Sequence, residues 1–191
     1  MKLKLLLIIF AGVCTACADA ADDGRAYRLT STALGVQPVE TSQSAADTGF
    51  SSAIIKAADS ILAAVNLQRA LAGVPPLIQQ PALVDAASER SVDMAARRYL
   101  AHVDPADGSL GAEKLLRGKG FRGQAAELLF QTEQPVSDVS QATIGAWLQD
   151  SDHSLILLSP DFRYAGIGVM GNGERWIITM LLTGERPKEG P

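Results

Sequence analysis

Apolar side chains recur every three or four residues at Ile54, Ala58, Ile61, Leu62 and Val65. That is the period of one helix face, and it predicts a first helix starting near residue 53. The stretch GVPPL, residues 73–77, closes it. Gly73 can cap the helix, and Pro75 and Pro76 cannot continue it. A second helix is predicted over 81–98, with Leu83, Ala87 and Met94 on its inner face. Its alanines at 82, 86, 87, 95 and 96 leave little bulk, so another element can approach closely. AHVDPADGS, residues 101–109, reads as a turn-rich loop. A short helix follows over LGAEKLLRG and stops near Gly118 or Gly120. QAAELLFQ, residues 124–131, reads as a short extended or irregular segment. Helical spacing returns at Val139, Thr143, Ile144 and Trp147, with HSLILL packing after it.

The period then changes. FRYAGIGVM and RWIITMLL alternate as strands do, with GNGE between them. Asn172-Gly173 fits a tight hairpin turn, because both positions tolerate positive φ. Helices come first and antiparallel strands last, which argues an α+β fold. Trp147 and Trp176 are expected in its core.

The two ends read differently. MKLK is a basic start, LLLIIFAGV an apolar run and CTACADA a small-residue exit, the pattern of a bacterial export signal over residues 1–17. The run is short for a bilayer span, which takes ~20 apolar residues. Ala18-Asp19-Ala20 fits a cleavage site; Cys17, preceded by Thr15 and Ala16, resembles a lipoprotein box and is the candidate lipidation site, although Cys14 stands where leucine is usual. Residues 18–52 are rich in Ala, Ser, Thr, Asp and Gln and read as a flexible spacer. Residues 53–183 form the domain, and 184–191 a polar tail.

Composition narrows the function. The net charge is −4, and loss of the leader removes Lys2 and Lys4 and no acid. So acidic a chain, without a basic cluster, is a poor partner for nucleic acid. Both cysteines lie in the leader, so the domain holds no disulfide and must rest on its core. There is no phosphate loop, no H-E-x-x-H and no G-x-S-x-G.

Few residues are left for chemistry. His102 opens the loop after the second helix, Glu127 lies within AAELLF, and Asp150 and His153 are three apart near a helix end. Singly, each has a plain reading: a helix-end or surface histidine, an edge glutamate, an aspartate that caps HSLILL. A glutamate flanked by Ala125, Ala126, Leu128 and Leu129 stays buried only if paired, and two imidazoles are its natural partners. A carboxylate that holds one ring proton leaves the other nitrogen free for a metal.

Several segments in order resemble the CAP superfamily, the SCP-like extracellular domain, in its bacterial form. VNLQRALAGVPPL is similar to that family's N-x-x-R…G…P-L opening, AASERSVDMAARRYLAH to its second helix, and WLQDSDHSLILL to its W-x-x-S-x-x-H motif. YAGIGV and RWIITMLL are similar to its central and last strands. The match runs over about 54–183. The resemblance implies an α-β-α sandwich with a small antiparallel sheet between helices. It implies a cleft formed by His102, Glu127, Asp150 and His153, and a role for Asn66 and Arg69 in the first helix's packing and surface pairing. Leu128, Ser154 and Ile156 depart from the family's Asn, Arg and Asn.

His102 and His153 with a carboxylate suit Zn²⁺ or another divalent metal. The favoured reading is a non-catalytic envelope binding module. The family also implies a lipid or other small lipophilic ligand in a separate groove, and Cys17 a membrane anchor. The alternatives are a metal-dependent peptidase or amidase using Glu127 as base, and a purely structural polar cluster.

Overall fold

The computed structural model describes residues 4–6, 45–171 and 174–187. The described residues form five helices and five strands, in the order β1 (Lys4–Leu6), α1 (Ala45–Leu71), β2 (Ile78–Gln79), α2 (Pro81–Ala96), α3 (Gly111–Gly118), β3 (Gln124–Thr132), α4 (Val139–Gln149), α5 (Ser151–Leu157), β4 (Tyr164–Gly171) and β5 (Trp176–Thr183). One sheet has the order β1-β3-β5-β4-β2. The fold is α+β, as expected, with two differences of detail. The sheet is mixed: β3, β5 and β4 are antiparallel, while β1 joins β3, and β2 joins β4, in parallel. QAAELLFQ is extended, one of its two expected readings, but it is longer than a short segment: it makes up most of a nine-residue strand paired along β5. Its run of apolar residues hid the alternation that marks a half-exposed strand, because both faces of β3 are covered.

Helix α1 begins at Ala45, earlier than the boundary expected at residue 53. Residues 18–44 of the expected spacer and the Asn172-Gly173 turn lie outside the described residues. β1 falls within the expected leader. Among the described residues no helix is long and apolar enough to cross a membrane.

Helices cover both faces of the sheet. On one side α1, α4 and α5 bury Ile61, Val65, Trp147, Ile156 and Leu157 against Leu128, Ile178, Met180 and Leu182. On the other, α2 and α3 bury Leu83, Ala87 and Leu116 against Ala125 and Leu181. Each large aliphatic side chain so buried contributes about 1.5–3 kcal/mol. The second interface is thin. A Cβ on Gly166 would lie 2.1 Å from the Leu83 carbonyl carbon, and one on Gly168 would lie 2.3 Å from that of Ala87. Glycine is therefore the only residue that lets α2 rest its backbone on β4. Buried Ser91 ties the two together, donating either to the Gly168 carbonyl at 3.1 Å or to Thr179 Oγ1 at 2.9 Å.

The end of α1 is fastened by two side chains. Asn66 brackets Leu77, donating to its carbonyl at 3.0 Å and accepting from its N–H at 2.8 Å. Buried Arg69 donates to the carbonyls of Pro75 (2.8 Å), Leu157 (2.6 Å), Ser159 (2.9 Å) and Phe162 (3.0 Å). These are chain segments that have no strand partner to satisfy them. The packing role expected for both residues is what they perform.

The thin interface sets a paired outcome. Gly168→Ala is expected to destabilise by about 1–3 kcal/mol through overpacking. Gly145→Ala, on α4 with open space around it, is expected to stabilise by about 0.5–1 kcal/mol. Urea midpoints of the two variants against the parent check both signs.

Candidate functional site

Helix α2 carries Leu83, Ala87, Arg90 and Met94 on its buried face. Three of these positions are apolar; the fourth puts an arginine against the sheet. Its guanidinium is 1% exposed and meets Glu127, itself 3% exposed, on β3. Arg90 Nε donates to Glu127 Oε1 at 3.0 Å. The other carboxylate oxygen, Oε2, lies 2.7 Å from His102 Nδ1. Glu127 is thus buried and paired, but its partners are one imidazole and one arginine, where two imidazoles were expected. A guanidinium neutralises the carboxylate whatever the pH, which a histidine does not.

Arg90 also builds the loop that carries His102. Nη2 donates to the His102 carbonyl at 3.2 Å and to the Ala101 carbonyl. Nη1 donates to Tyr99 Oη at 2.6 Å, and that hydroxyl in turn donates to Asp93. Gly111, at the start of α3, leaves room for this: a Cβ there would stand 2.6 Å from Arg90 Cζ. Its N–H donates to the His102 carbonyl at 3.0 Å, and Val103 bridges to Leu110, so the loop closes on itself. His102 therefore has its ring and its main chain positioned by one buried ion pair. With Nδ1 against the carboxylate, Nε2 is the nitrogen left for a ligand.

His153 comes from the opposite layer, on α5. Asp150 Oδ1 caps that helix, accepting from the N–H of Asp152 at 2.9 Å and of His153 at 3.0 Å. The same oxygen lies 3.5 Å from His153 Nδ1. Asp150 Oδ1 thus serves the helix end and lies near its own histidine, while Oδ2 has no hydrogen-bond partner among the described residues. Burial pushes the His153 imidazolium below the usual histidine range; Asp150 opposes this, and the charge of His102 adds to it. The two histidines thus feel one another, each backed by its own carboxylate. Among the described residues no group of three or more His, Cys, Asp or Glu gathers as a metal cage. Any ion held here rests on the two imidazoles. The larger hollows lie elsewhere, one at the end of α2 and one between α1 and α4.

The family model described as CAP, the cysteine-rich secretory protein family, matches residues 62–182. The chain belongs to the CAP family. No curated protein is similar enough to register as a relative. Among solved structures, an outer surface protein of Borrelia burgdorferi is 16% identical with a TM-score of 0.58, over 69% of this chain and 94% of that one. An extracellular SCP-domain protein of Bacillus anthracis is 27% identical (TM-score 0.53), over 68% of this chain and 41% of that one. A cysteine-rich secretory protein of Staphylococcus aureus is 16% identical (TM-score 0.53), over 82% of this chain and 43% of that one. This CAP domain thus spans nearly all of the first and under half of the other two.

Arg90 is the residue that reading the sequence missed. The signal was present: positions 83, 87, 90 and 94 follow the helical period, so an arginine at 90 had to face inward. A buried arginine implies a buried acid, and Glu127 is the acid inside an apolar run.

Arg90→Met is expected to cost about 3–5 kcal/mol, because it strands the Glu127 carboxylate in the interior. Arg90→Met/Glu127→Leu should recover much of that loss; a double-mutant cycle by urea unfolding measures it. The His153 shift has its own consequence. A neutral imidazole in the folded state means that the unfolded chain binds the extra proton first. Stability supplied by His153 is therefore present above about pH 6.5 and lost as pH falls. His153→Gln should flatten the stability profile between about pH 5 and pH 7.

Proposed function

We propose that this CAP protein is an exported envelope protein that works as a non-catalytic binding module, holding a divalent ion such as Zn²⁺ between His102 and His153. The observation that carries the reading is the commitment of both oxygens of Glu127 behind His102. Glu127 has one oxygen on Arg90 and the other on His102, and Asp150 caps α5. A general base needs an oxygen free to take a proton from water near the substrate. Glu127 instead orients an imidazole, the supporting role that carboxylates take behind metal-binding histidines. His153, pushed toward its neutral form by burial, suits the same task. Zn²⁺ bound this way would supply a positive centre for an anionic or carbonyl-bearing ligand. A peptidase or amidase would have to find its base elsewhere than at Glu127.

A lipophilic ligand would have a different place. Ala53, Ala57 and Val136 line a hollow of about 290 Å³ bordering α1 and the start of α4, with Lys56, Ser60 and Ser137 at its edge. That volume suits a small ligand. Export rests on the basic, apolar and small-residue order of residues 1–20, and anchoring on Cys17. A second reading, a structural polar cluster with no ligand, has the depth of Arg90 and Glu127 in its favour.

Zn²⁺ titration of the purified protein separates the readings. The parent should bind about one equivalent, and His102→Ala/His153→Ala should bind at least tenfold more weakly. Glu127→Gln should lose about 10–100-fold in affinity through the misplaced His102 ring. Equal affinity in all three would leave only the structural cluster. Chelator-sensitive release of product from peptide or cell-wall substrates would instead point to the hydrolase, and a diacylglyceryl mass on the exported chain to the anchor.

A further inference from the structure

Three helices end in the same hydrogen-bonded turn. After α1, Gly73 N–H reaches the Ala70 carbonyl and Val74 N–H reaches Arg69. After α3, Gly120 N–H reaches Arg117 and Phe121 N–H reaches Leu116. After α2, Arg98 N–H reaches Ala95 and Tyr99 N–H reaches Met94. The residue at the turn is left-handed in each case, with φ of 71° at Gly73, 86° at Gly120 and 55° at Arg98. Glycine takes that conformation without strain, and arginine does not. Arg98 is the only non-glycine residue with positive φ among those described. The turn is closed by main-chain bonds alone, so the guanidinium is no part of it.

That guanidinium borders a hollow of about 1020 Å³ where the last turns of α2 meet the ends of β4 and β5. Val92, Ala95, Met170 and Ile177 give it an apolar floor, and Glu133 stands on its rim. The side chains of Arg98 and Glu133 have no ion-pair or hydrogen-bond partner among the described residues. Glu174 and Arg175 also line the hollow and have partners of their own, so Arg98 and Glu133 are the cation and anion on it whose charges are unmet among the described residues. The volume is that of a drug-sized ligand. We propose that this hollow binds a short zwitterionic peptide with apolar side chains, its carboxylate met by Arg98 and its ammonium group by Glu133. A planar guanidinium pairs with a carboxylate through two parallel hydrogen bonds, and the apolar side chains cover the floor.

Calorimetric titration of the intact protein with Leu-Leu-Leu tests this. The free tripeptide is expected to bind, and amidating its carboxylate or acetylating its amine should each weaken binding about tenfold or more. Arg98→Gly should raise Tm by about 2–4 °C by relieving the left-handed strain. It should also weaken the free tripeptide to the level of its amide and abolish the difference between the two. Glu133→Gln should do the same for acetylation. Absence of binding overturns the proposal, as does equal affinity for tripeptides with free and blocked ends. A lower Tm for Arg98→Gly overturns it too, because the arginine would then be serving the helix end itself.

Discussion

The Arg90–Glu127 pair, nearly sealed from water, is the constraint on which the rest of the site depends. Two charges buried together are costly to desolvate and gain stability only if their remaining hydrogen bonds are met. Here they are. The carboxylate has an arginine and a histidine, and the guanidinium has that carboxylate, a tyrosine hydroxyl and two main-chain carbonyls. Satisfying the arginine therefore requires the loop from Tyr99 to His102 to lie in one conformation. The position of His102 is a by-product of neutralising Glu127.

Close packing makes this arrangement possible. Charges are best satisfied at short range, and α2 can bring Arg90 to β3 only because the helix lies almost on the sheet. Gly166, Gly168, Ala86 and Ala87 provide that approach, and Gly111 opens the space that the guanidinium fills. On the other face the spacing is ordinary, filled by leucine, isoleucine and tryptophan side chains. Arg69 reaches across from α1 to carbonyls near the end of α5 and the start of β4, fastening the layer that carries His153. Two arginines thus hold the two walls: one works through a carboxylate, the other through carbonyls alone.

Both oxygens of Glu127 are held by neighbours, which suits it to orient His102. Polar atoms saturated by their neighbours orient and stabilise; they do not exchange protons with a substrate at low cost. At the end of the same helix, Arg98 tolerates a backbone conformation suited to glycine. Held rigidity near the histidines and tolerated strain at the hollow are different uses of one helix.

The sequence by itself determined the elements and their class. Helical spacing at Ile54–Val65, the stop at Gly73-Val74-Pro75-Pro76, and the strand pairs at the end of the chain are local signals, legible because propensity and periodicity act over a few residues. Asp150 as a helix cap was legible for the same reason, and the ordered motifs pointed to the CAP fold before any coordinates. The tertiary structure alone decided the partners. That β3 is buried on both faces and that Arg90 rather than a second histidine completes Glu127 both depend on contacts between residues far apart in sequence. Burial and ion pairing are properties of the space between elements, and the order of residues along the chain records that space only indirectly.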